Sequence, residues 1–493
     1  MAPTGSFFRT SAMISEMSKN KLAKNLILSL AAQALSLLVS FIVGFIVPKF
    51  IPELEYSFWQ MFLLYYGYVG IFHFGLIDGI VLRYAQYDYE ELDKPRLRSQ
   101  FAVLLILTGA VTLVAVNISA LAMGGNARLV ALLVSAGIIL KNCFTYTLYT
   151  FQMTNRITHY ATLVIGQRLV YGLIMLGLLA FGVDDFYWYC IADLASELLA
   201  ALVGAMFNRG LYFGRLISMR EALREAWGNI SSGAFLLVAN LSSMLIVGSA
   251  KMICQWRFDE LVFGKVAFSF SVANLFLTFV SAISVVLFPS LKRMKEEEYP
   301  DTYGKIRSMI SPVLFAVLLA YFPGCWILTR WLPNYASSLI YLGILLPLIV
   351  FSSKTNLLTN NYLKVYRKER WMLWINLCAV IFGATLSFVC AYVLDDLELM
   401  LYALILTIML YSFASEFIVM RLIKRVRVID FAVELGMTAI FIFAARFCSL
   451  WIGCGVYALA LVLYGILYHR SIAELCRPLW RRLKKNKTPN ENN

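Results

Sequence analysis

Charged residues are scarce in this sequence. They make up 15% of the 493 residues, whereas hydrophobic residues make up 60% and the mean hydropathy is +0.74. A soluble protein of this length could not hide so much apolar surface in its interior. The composition therefore excludes a soluble globular domain and indicates that much of the apolar surface faces lipid.

Recognisable metal and redox motifs are also missing. The nine cysteines follow no metal-binding or redox spacing, and all except Cys476 lie in or beside apolar stretches. Free cysteine in such surroundings behaves as a small hydrophobic residue. No small-residue cleavage pattern follows the first apolar stretch, so this stretch is expected to be retained as a helix. We expect no metal ion, no cofactor and no catalytic residues.

Long apolar stretches recur along the chain. A helix needs about 20 residues to cross the hydrocarbon layer of a bilayer, and fourteen stretches are long enough. The sequence therefore predicts an all-α membrane protein with about 14 transmembrane helices. The predicted spans are 25–47, 56–82, 99–123, 127–151, 159–181, 186–207, 230–256, 261–289, 306–329, 337–362, 371–393, 397–420, 430–449 and 450–469.

The basic residues reveal the orientation of these helices. Most of the 43 Lys and Arg residues lie at the termini and on every second predicted loop. Because basic loops of membrane proteins are cytoplasmic, both termini are predicted to be cytoplasmic. This distribution also accounts for the formal net charge of +14, so no nucleic-acid partner is expected. The basic tail is expected to lie near anionic lipid headgroups.

The sequence contains a weak internal repeat. The segment 52–58 after the first span resembles the segment 258–265 after the seventh, with Leu54 matching Leu261. Because six crossings separate the two segments, both halves have the same orientation in the membrane. A parallel repeat of this kind is typical of rocker-type transporters. We predict two six-helix lobes with a substrate path between them, followed by two C-terminal helices.

These features divide the chain into six parts. The parts are a cytoplasmic N-terminal segment 1–24, an N-lobe 25–207 (helices 1–6), a cytoplasmic linker 208–229, a C-lobe 230–420 (helices 7–12), a segment 421–469 with helices 13 and 14, and a basic cytoplasmic tail 470–493.

Four cations within predicted spans are candidate functional residues, because an ionisable group at mid-membrane costs about 2.5–3.5 kcal/mol even on the gentler insertion scale. They are Lys141, Arg168, Lys251 and Lys354. The repeat places Lys141 opposite Ser353, next to Lys354, and no acid is evident at a similar depth on the adjacent spans. Because Lys and Arg bind phosphate through charge-assisted hydrogen bonds, we expect a cationic cleft that holds a diphosphate or an acidic sugar.

Acidic residues within the spans support a second interpretation, in which the cations only form ion pairs that hold the helices together. Arg168 and Glu197 lie at a similar depth on helices 5 and 6 and would form such a pair. Asp193 and Glu197 are one helical turn apart on the same face and could instead bind a coupling ion. Asp78 is a further candidate for ion pairing. Lys251, near a helix end, could extend its amine to the interface.

Several short motifs resemble those of one family. The segment Phe45-Ile46-Val47-Pro48-Lys49-Phe50-Ile51-Pro52-Glu53-Leu54-Glu55-Tyr56-Ser57 is similar to the first-hairpin signature of bacterial polysaccharide flippases. These flippases are a branch of the multidrug/oligosaccharidyl-lipid/polysaccharide exporter superfamily. Ser57 stands where the family commonly has glycine, and Gly264 restores the glycine in the second half. The other similar segments are Phe74-Gly75-Leu76 through Arg83-Tyr84, Leu287-Phe288-Pro289-Ser290-Leu291 and Trp331-Leu332-Pro333-Asn334-Tyr335-Ala336.

The resemblance implies a transporter and not an enzyme. The expected substrate is a lipid-linked oligosaccharide, carried on a polyprenyl diphosphate and moved by alternating access. The expected location is the bacterial plasma membrane, and the expected role is surface polysaccharide biosynthesis. Besides the substrate and membrane lipids, the expected partner is Na⁺ or H⁺ as a coupling ion, and a monomer is expected.

Two other functions stay open at this point. A multidrug antiporter of the same superfamily would ordinarily carry a carboxylate in an early helix, and residues 25–47 contain no acid. A membrane glycosyltransferase or polysaccharide polymerase would need a substantial outer loop with catalytic acids. The predicted outer loops are short, which disfavours such an enzyme. The resemblance makes the flippase the leading hypothesis.

Overall fold

The computed structural model describes residues 34–35, 37–292, 294–425 and 427–469, which are mostly helical and contain no β-strand. The predicted segment 1–24, the start of the first span and the basic tail 470–493 lie outside these ranges. Within them, fourteen long helices follow one another, and a short helix Arg209–Tyr212 lies between the sixth and the seventh. The long helices are α1 Leu37–Phe50, α2 Glu53–His73 with Leu76–Tyr84, α3 Lys94–Ala122, α4 Gly125–Met153, α5 Ile157–Ala180, α6 Phe186–Phe207, α7 Met219–Arg257, α8 Glu260–Lys292, α9 Glu296–Trp331, α10 Ser338–Val365, α11 Glu369–Val393, α12 Leu397–Leu422, α13 Ile429–Phe447 and α14 Leu450–Leu467.

The lengths and compositions of these helices fit a membrane. Eleven of the described helices are long and apolar enough to cross it, and α2 makes a twelfth if its two parts are one span. The remaining two, α1 and α13, are apolar but shorter or richer in charge. The predicted all-α membrane fold is confirmed. The limits of the last five helices differ from the prediction by only a few residues, whereas α7 and α9 begin about ten residues earlier than predicted.

The chain divides into two compact units, the first ending at Leu241 and the second beginning at Ser242. This boundary lies inside α7, which runs without a break from Met219 to Arg257. Residues 219–229 of the predicted linker are therefore the first turns of α7. The biological domain limits proposed from the sequence stay a prediction.

Helix α2 is bent by 55° between its two parts, although the sequence predicts an unbroken span over 56–82. At the bend, Phe74 and Gly75 have φ angles of 50° and 86°. These angles lie in the left-handed region, which glycine adopts without the steric cost that a Cβ imposes. Hydropathy does not register such a bend because the apolar pattern continues through it.

Beyond the bend, α2 crosses the first part of α7 at very short range. A Cβ at Gly79 would lie 1.8 Å from the carbonyl oxygen of Asn229, and one at Gly233 would lie 2.1 Å from that of Gly75. Small residues let helix backbones approach each other closely in membranes. The contact therefore depends on glycine in both helices. Arg83 extends it by donating a hydrogen bond of 2.7 Å to the Asn229 side chain.

Helix α10 occupies the centre of the second unit. Of the 18 residues that form its most apolar stretch, 78% are buried, a larger share than in any other described span. The reason is that α10 packs against α8, α9 and α12. The helix is irregular, since a π-helical turn at Thr355–Thr359 follows directly after Lys354. Such turns are rare and often lie at functional sites. The fold thus places an intramembrane lysine in the middle of a tightly packed unit.

Candidate functional site

In the first unit, Lys141 forms an ion pair between helices. Its amine on α4 lies 2.5 Å from the Oε1 atom of Glu197 on α6. Tyr66 of α2 donates a hydrogen bond to the other oxygen of this carboxylate. The Lys141 side chain is 32% exposed, whereas the Glu197 side chain is 4% exposed. The lysine side of the pair is therefore accessible, and the glutamate side is enclosed.

Local packing explains why these groups meet. Gly137 lies one turn before Lys141 on α4, and a Cβ there would lie 2.3 Å from the Tyr66 ring. The missing side chain lets Tyr66 pack on the α4 face that carries Lys141, whose amine is 5.0 Å from the Tyr66 ring centroid. Asn142 next to it donates a hydrogen bond of 3.0 Å to the Val69 carbonyl and so ties α4 to α2.

The other predicted residues of the first cluster lie close by. Asp193 is buried one turn before Glu197 and interacts electrostatically with Glu197, Lys141 and Arg168. Arg168 is half-buried on α5. Among the described residues, the ion pair of Glu197 is formed with Lys141 and not with Arg168 as the second interpretation expected. Depth alone suggested Arg168, but the rotation of the helices brings α4 against this face of α6.

Two predicted residues make other contacts. Asp78 is buried on the second part of α2, and its carboxylate lies 3.8 Å from the Nε2 atom of His73. Lys251 is on the part of α7 that belongs to the second unit, with its amine 5.0 Å from the Phe270 ring centroid. This distance is that of a cation–π interaction. Neither residue joins the ion pairs of Lys141 and Lys354.

In the second unit, Lys354 belongs to a buried network of five charged side chains. Its amine contacts two carboxylates, that of Glu416 on α12 at 2.6 Å and that of Glu434 on α13. Arg307 on α9 contacts the same two carboxylates at 2.6 Å each, and that of Asp430 at 3.0 Å. All five side chains are 0–9% exposed. We call these five residues the α9–α13 network.

The sequence expectation that no acid accompanies Lys141 and Lys354 is therefore wrong. Glu416 and Glu434 both lie inside predicted spans, so their positions were a usable signal. Arg307 was missed because the predicted span began at residue 306, which put Arg307 at the end of the helix. In the structure α9 begins at Glu296, which places Arg307 about three turns inside the helix.

The same ion pair occurs in both units. In each half of the repeat, a lysine on the fourth helix pairs with a glutamate on the sixth helix: Lys141 with Glu197, and Lys354 with Glu416. The repeat predicted from the sequence matched the two lysines, and the structure adds a matching partner for each. A pair that recurs in this way is a property of the six-helix repeat rather than of one local sequence.

The two clusters differ in charge and in access. The first contains two cations and two carboxylates, counting Lys141, Arg168, Asp193 and Glu197. The α9–α13 network contains two cations and three carboxylates, so its formal charge is −1 when all five groups are ionised. A buried unpaired charge is costly, so one proton or one monovalent cation would stabilise this network.

Comparison with known proteins identifies the fold. No protein-family model and no curated protein matches the sequence. The solved structure of the lipid II flippase MurJ in an inward closed conformation matches with a TM-score of 0.62 at 11% identity, over 92% of this chain and 100% of that chain. An inward-facing multidrug resistance MATE family transporter of the MOP superfamily gives a TM-score of 0.60 at 12% identity, over 81% of this chain and 98% of that chain.

A third solved structure extends this likeness. A MATE transporter in the straight conformation gives a TM-score of 0.53 at 15% identity, over 82% of this chain and 95% of that chain. The chain therefore has the fold of MOP-superfamily transporters and, with its apolar helices, is a multi-pass membrane protein. A lipid II flippase and a multidrug resistance transporter both occur among these matches, so the substrate must be argued from the residues of this chain.

Proposed function

We propose that this protein is a flippase for a polyprenyl-diphosphate-linked oligosaccharide in the bacterial plasma membrane, with both termini cytoplasmic. The observation that carries the proposal is the environment of the Lys141 side chain. This lysine is a cation within a span, 32% exposed, and held by an enclosed carboxylate. The fold shared with a lipid II flippase and the polysaccharide-flippase motifs support the substrate class.

In this proposal, Lys141 exchanges one anionic partner for another. Without substrate, Glu197 neutralises the lysine and so lowers the cost of holding a cation within the membrane. A diphosphate that reaches the exposed side of Lys141 offers a charge-assisted hydrogen bond in its place. Tyr66 keeps a hydrogen bond to Glu197, so the carboxylate is not left without a donor. When the protein changes conformation, Glu197 recovers the lysine and the substrate is released.

The proposal gives Lys354 a different status from Lys141. Lys354 is the matching residue of the second half, but its side chain is 2% exposed and contacts two glutamates. It can meet a ligand only after α10 moves or a glutamate releases it. Arg168 and Lys251 stay proposed residues of the cationic cleft because both lie within spans. The main test therefore concerns Lys141.

The test uses a deletion strain complemented with variants. Lys141→Ala should abolish transport, so that surface polysaccharide falls and the lipid-linked oligosaccharide accumulates on the cytoplasmic leaflet. Lys141→Arg should keep part of the activity because the cation stays while its geometry changes. The matched control is Lys368→Ala, which removes an exposed lysine at the start of α11. Membrane abundance is measured for every variant.

Three results would contradict parts of this proposal. A normal leaflet distribution of the oligosaccharide lipid in the deletion strain would show that the protein does not transport this lipid. Full activity of Lys141→Ala at normal abundance would remove the lysine from the substrate path. Depletion of the lipid intermediate, instead of its accumulation, would indicate an enzyme of its synthesis.

The second candidate is a multidrug antiporter of the same fold. Two observations favour it, the likeness to MATE transporters and the excess of one carboxylate in the α9–α13 network, which a coupling cation could neutralise. Asp193 and Glu197 are the other proposed coupling residues. Loss of drug efflux in the deletion strain, together with normal oligosaccharide distribution, would select the antiporter.

A further inference from the structure

A basic pocket lies at one end of the second unit, where four helix ends meet. Helices α9 and α13 begin there, and α12 and α14 end there, so all four ends lie at one membrane face. The pocket has a volume of about 560 Å³ and is lined by residues from all four ends. This volume lies within the range of about 300–1,000 Å³ that is usual for small-molecule sites.

The charges that line the pocket are mainly positive. Four cations face two carboxylates. Asp301 is already paired with Arg425 at 2.7 Å, and Asp430 is paired with Arg307 at 3.0 Å. The remaining cations are Lys305 and Arg427, both exposed, and no carboxylate of the described residues lies within ion-pair distance of either. The pocket therefore carries two cations whose charge an anion could balance.

The position of the pocket indicates where that anion comes from. Tyr468 follows directly after the last residue of α14, and its ring stacks on that of Tyr464 at 4.8 Å between centroids. Tyrosines at helix ends mark the headgroup layer of a membrane. Basic pockets between helix ends at this level suit lipid phosphates, and guanidinium groups match phosphate geometry.

We propose that this pocket binds a phosphate-bearing anion, the headgroup of an anionic phospholipid, through Lys305 and Arg427. The pocket reaches the α9–α13 network, because Arg307 and Asp430 line it and belong to the network as well. A bound phosphate adds negative charge beside Arg307 and so competes with Asp430 for the guanidinium. Lipid binding therefore acts on the buried ion pairs of the second unit, which makes the pocket a regulatory site distinct from the Lys141 cluster.

The test measures lipid binding to the full-length purified protein by native mass spectrometry. Phosphatidylglycerol is compared with phosphatidylcholine, whose headgroup carries no net charge, and inorganic phosphate is titrated separately. The double variant Lys305→Ala/Arg427→Ala should weaken phosphatidylglycerol binding by about tenfold or more, which corresponds to about 1.4 kcal/mol, because it removes both cations that would bind the phosphate. Binding of phosphatidylcholine should not change.

The matched control is Lys368→Ala/Arg370→Ala. It removes the same charges from exposed positions beside the start of α11, which lies at the same membrane face and does not line the pocket. Equal losses in the pocket and control variants would overturn the proposal, because they would indicate only general attraction to basic loops. A different outcome is that inorganic phosphate protects the protein from thermal unfolding as well as phosphatidylglycerol does, with the protection lost in the pocket variant. That result would show that the ligand is free phosphate and would overturn the assignment to a lipid headgroup.

Folding of the variants is checked without lipid. Because Lys305 and Arg427 are exposed, the double variant should unfold at the temperature of the wild type in neutral detergent. If it does not, the charge-removing pair Lys305→Gln/Arg427→Gln, which keeps the long side chains, replaces it. Undiminished binding of phosphatidylglycerol by either folded variant would refute the role of these two residues.

Discussion

Replacing Lys354 with methionine tests whether the α9–α13 network is held together by charge. Methionine is similar in length and apolar, so the substitution removes the cation with little loss of packing. In the wild type the amine contacts Glu416 and Glu434, whose side chains are 0% and 3% exposed. Solvent cannot screen the charges that remain. Arg307 alone would then face three carboxylates.

The expected cost follows from this burial. Removing one partner of a buried ion pair destabilises a protein by about 3–5 kcal/mol, because it leaves an uncompensated charge. Adding Glu434→Gln to Lys354→Met removes one of the excess carboxylates and returns the network to its original formal charge. The double variant should therefore be more stable than the sum of the single effects predicts, with a coupling free energy of about 0.5–3 kcal/mol.

The measurement is reversible unfolding of the purified protein in mixed micelles, for the wild type, both single variants and the double variant. Lys368→Met is the control, since an exposed lysine should change the free energy of unfolding by about 0.5 kcal/mol or less. If Lys354→Met costs no more than the control, or if the two substitutions are strictly additive, the network does not depend on the ionised lysine and the reasoning is refuted.

The remaining predictions concern packing, exposed charge and orientation. Gly79→Ala should lower the yield of folded protein sharply, because the added Cβ would overlap the backbone of α7. Gly109→Ala on α3, where the added Cβ meets open space, should have little effect. Thermal unfolding of both variants checks this. Arg96→Ala removes the ion pair with Glu221 at 3.4 Å. Because the Arg96 side chain is 45% exposed, solvent screens this pair, and the free energy of unfolding should change by about 0–1 kcal/mol. A larger change would contradict the screening argument. Arg220→Cys in a cysteine-free background should not react with an impermeant thiol reagent in intact cells and should react after permeabilisation, because the basic loops predict a cytoplasmic position. Labelling in intact cells with sound membranes would show that the predicted orientation is wrong.

The helices could be predicted from the sequence because hydropathy depends on neighbouring residues alone. The predicted spans 397–420 and 450–469 correspond to Leu397–Leu422 and Leu450–Leu467. The bend at Gly75 could not be predicted in this way, since it depends on the φ angles of two residues within a continuous apolar pattern. The start of α7 at Met219 was also missed, because its first turns are charged and resemble a loop.

The candidate site was predictable only in part, for a geometric reason. The sequence shows how deep a charged residue lies along its helix, and this was enough to single out Lys141 and Lys354. It does not show toward which neighbour the helix turns that residue. The partners of Lys354 are 62 and 80 residues away along the chain, on α12 and α13, and they meet it only through the packing of the second unit.

The odd number of charges in the α9–α13 network would couple any uptake of a proton or cation there to the membrane potential. A group of two cations and three carboxylates changes between −1 and neutral when it takes up a single proton. A charge that enters such a site from one side of the membrane crosses part of the electric field. Moving one elementary charge across the whole membrane is worth about 2.3 kcal/mol per 100 mV. If the network takes up a proton or a cation, its occupancy should therefore change with membrane potential, even without any transported substrate.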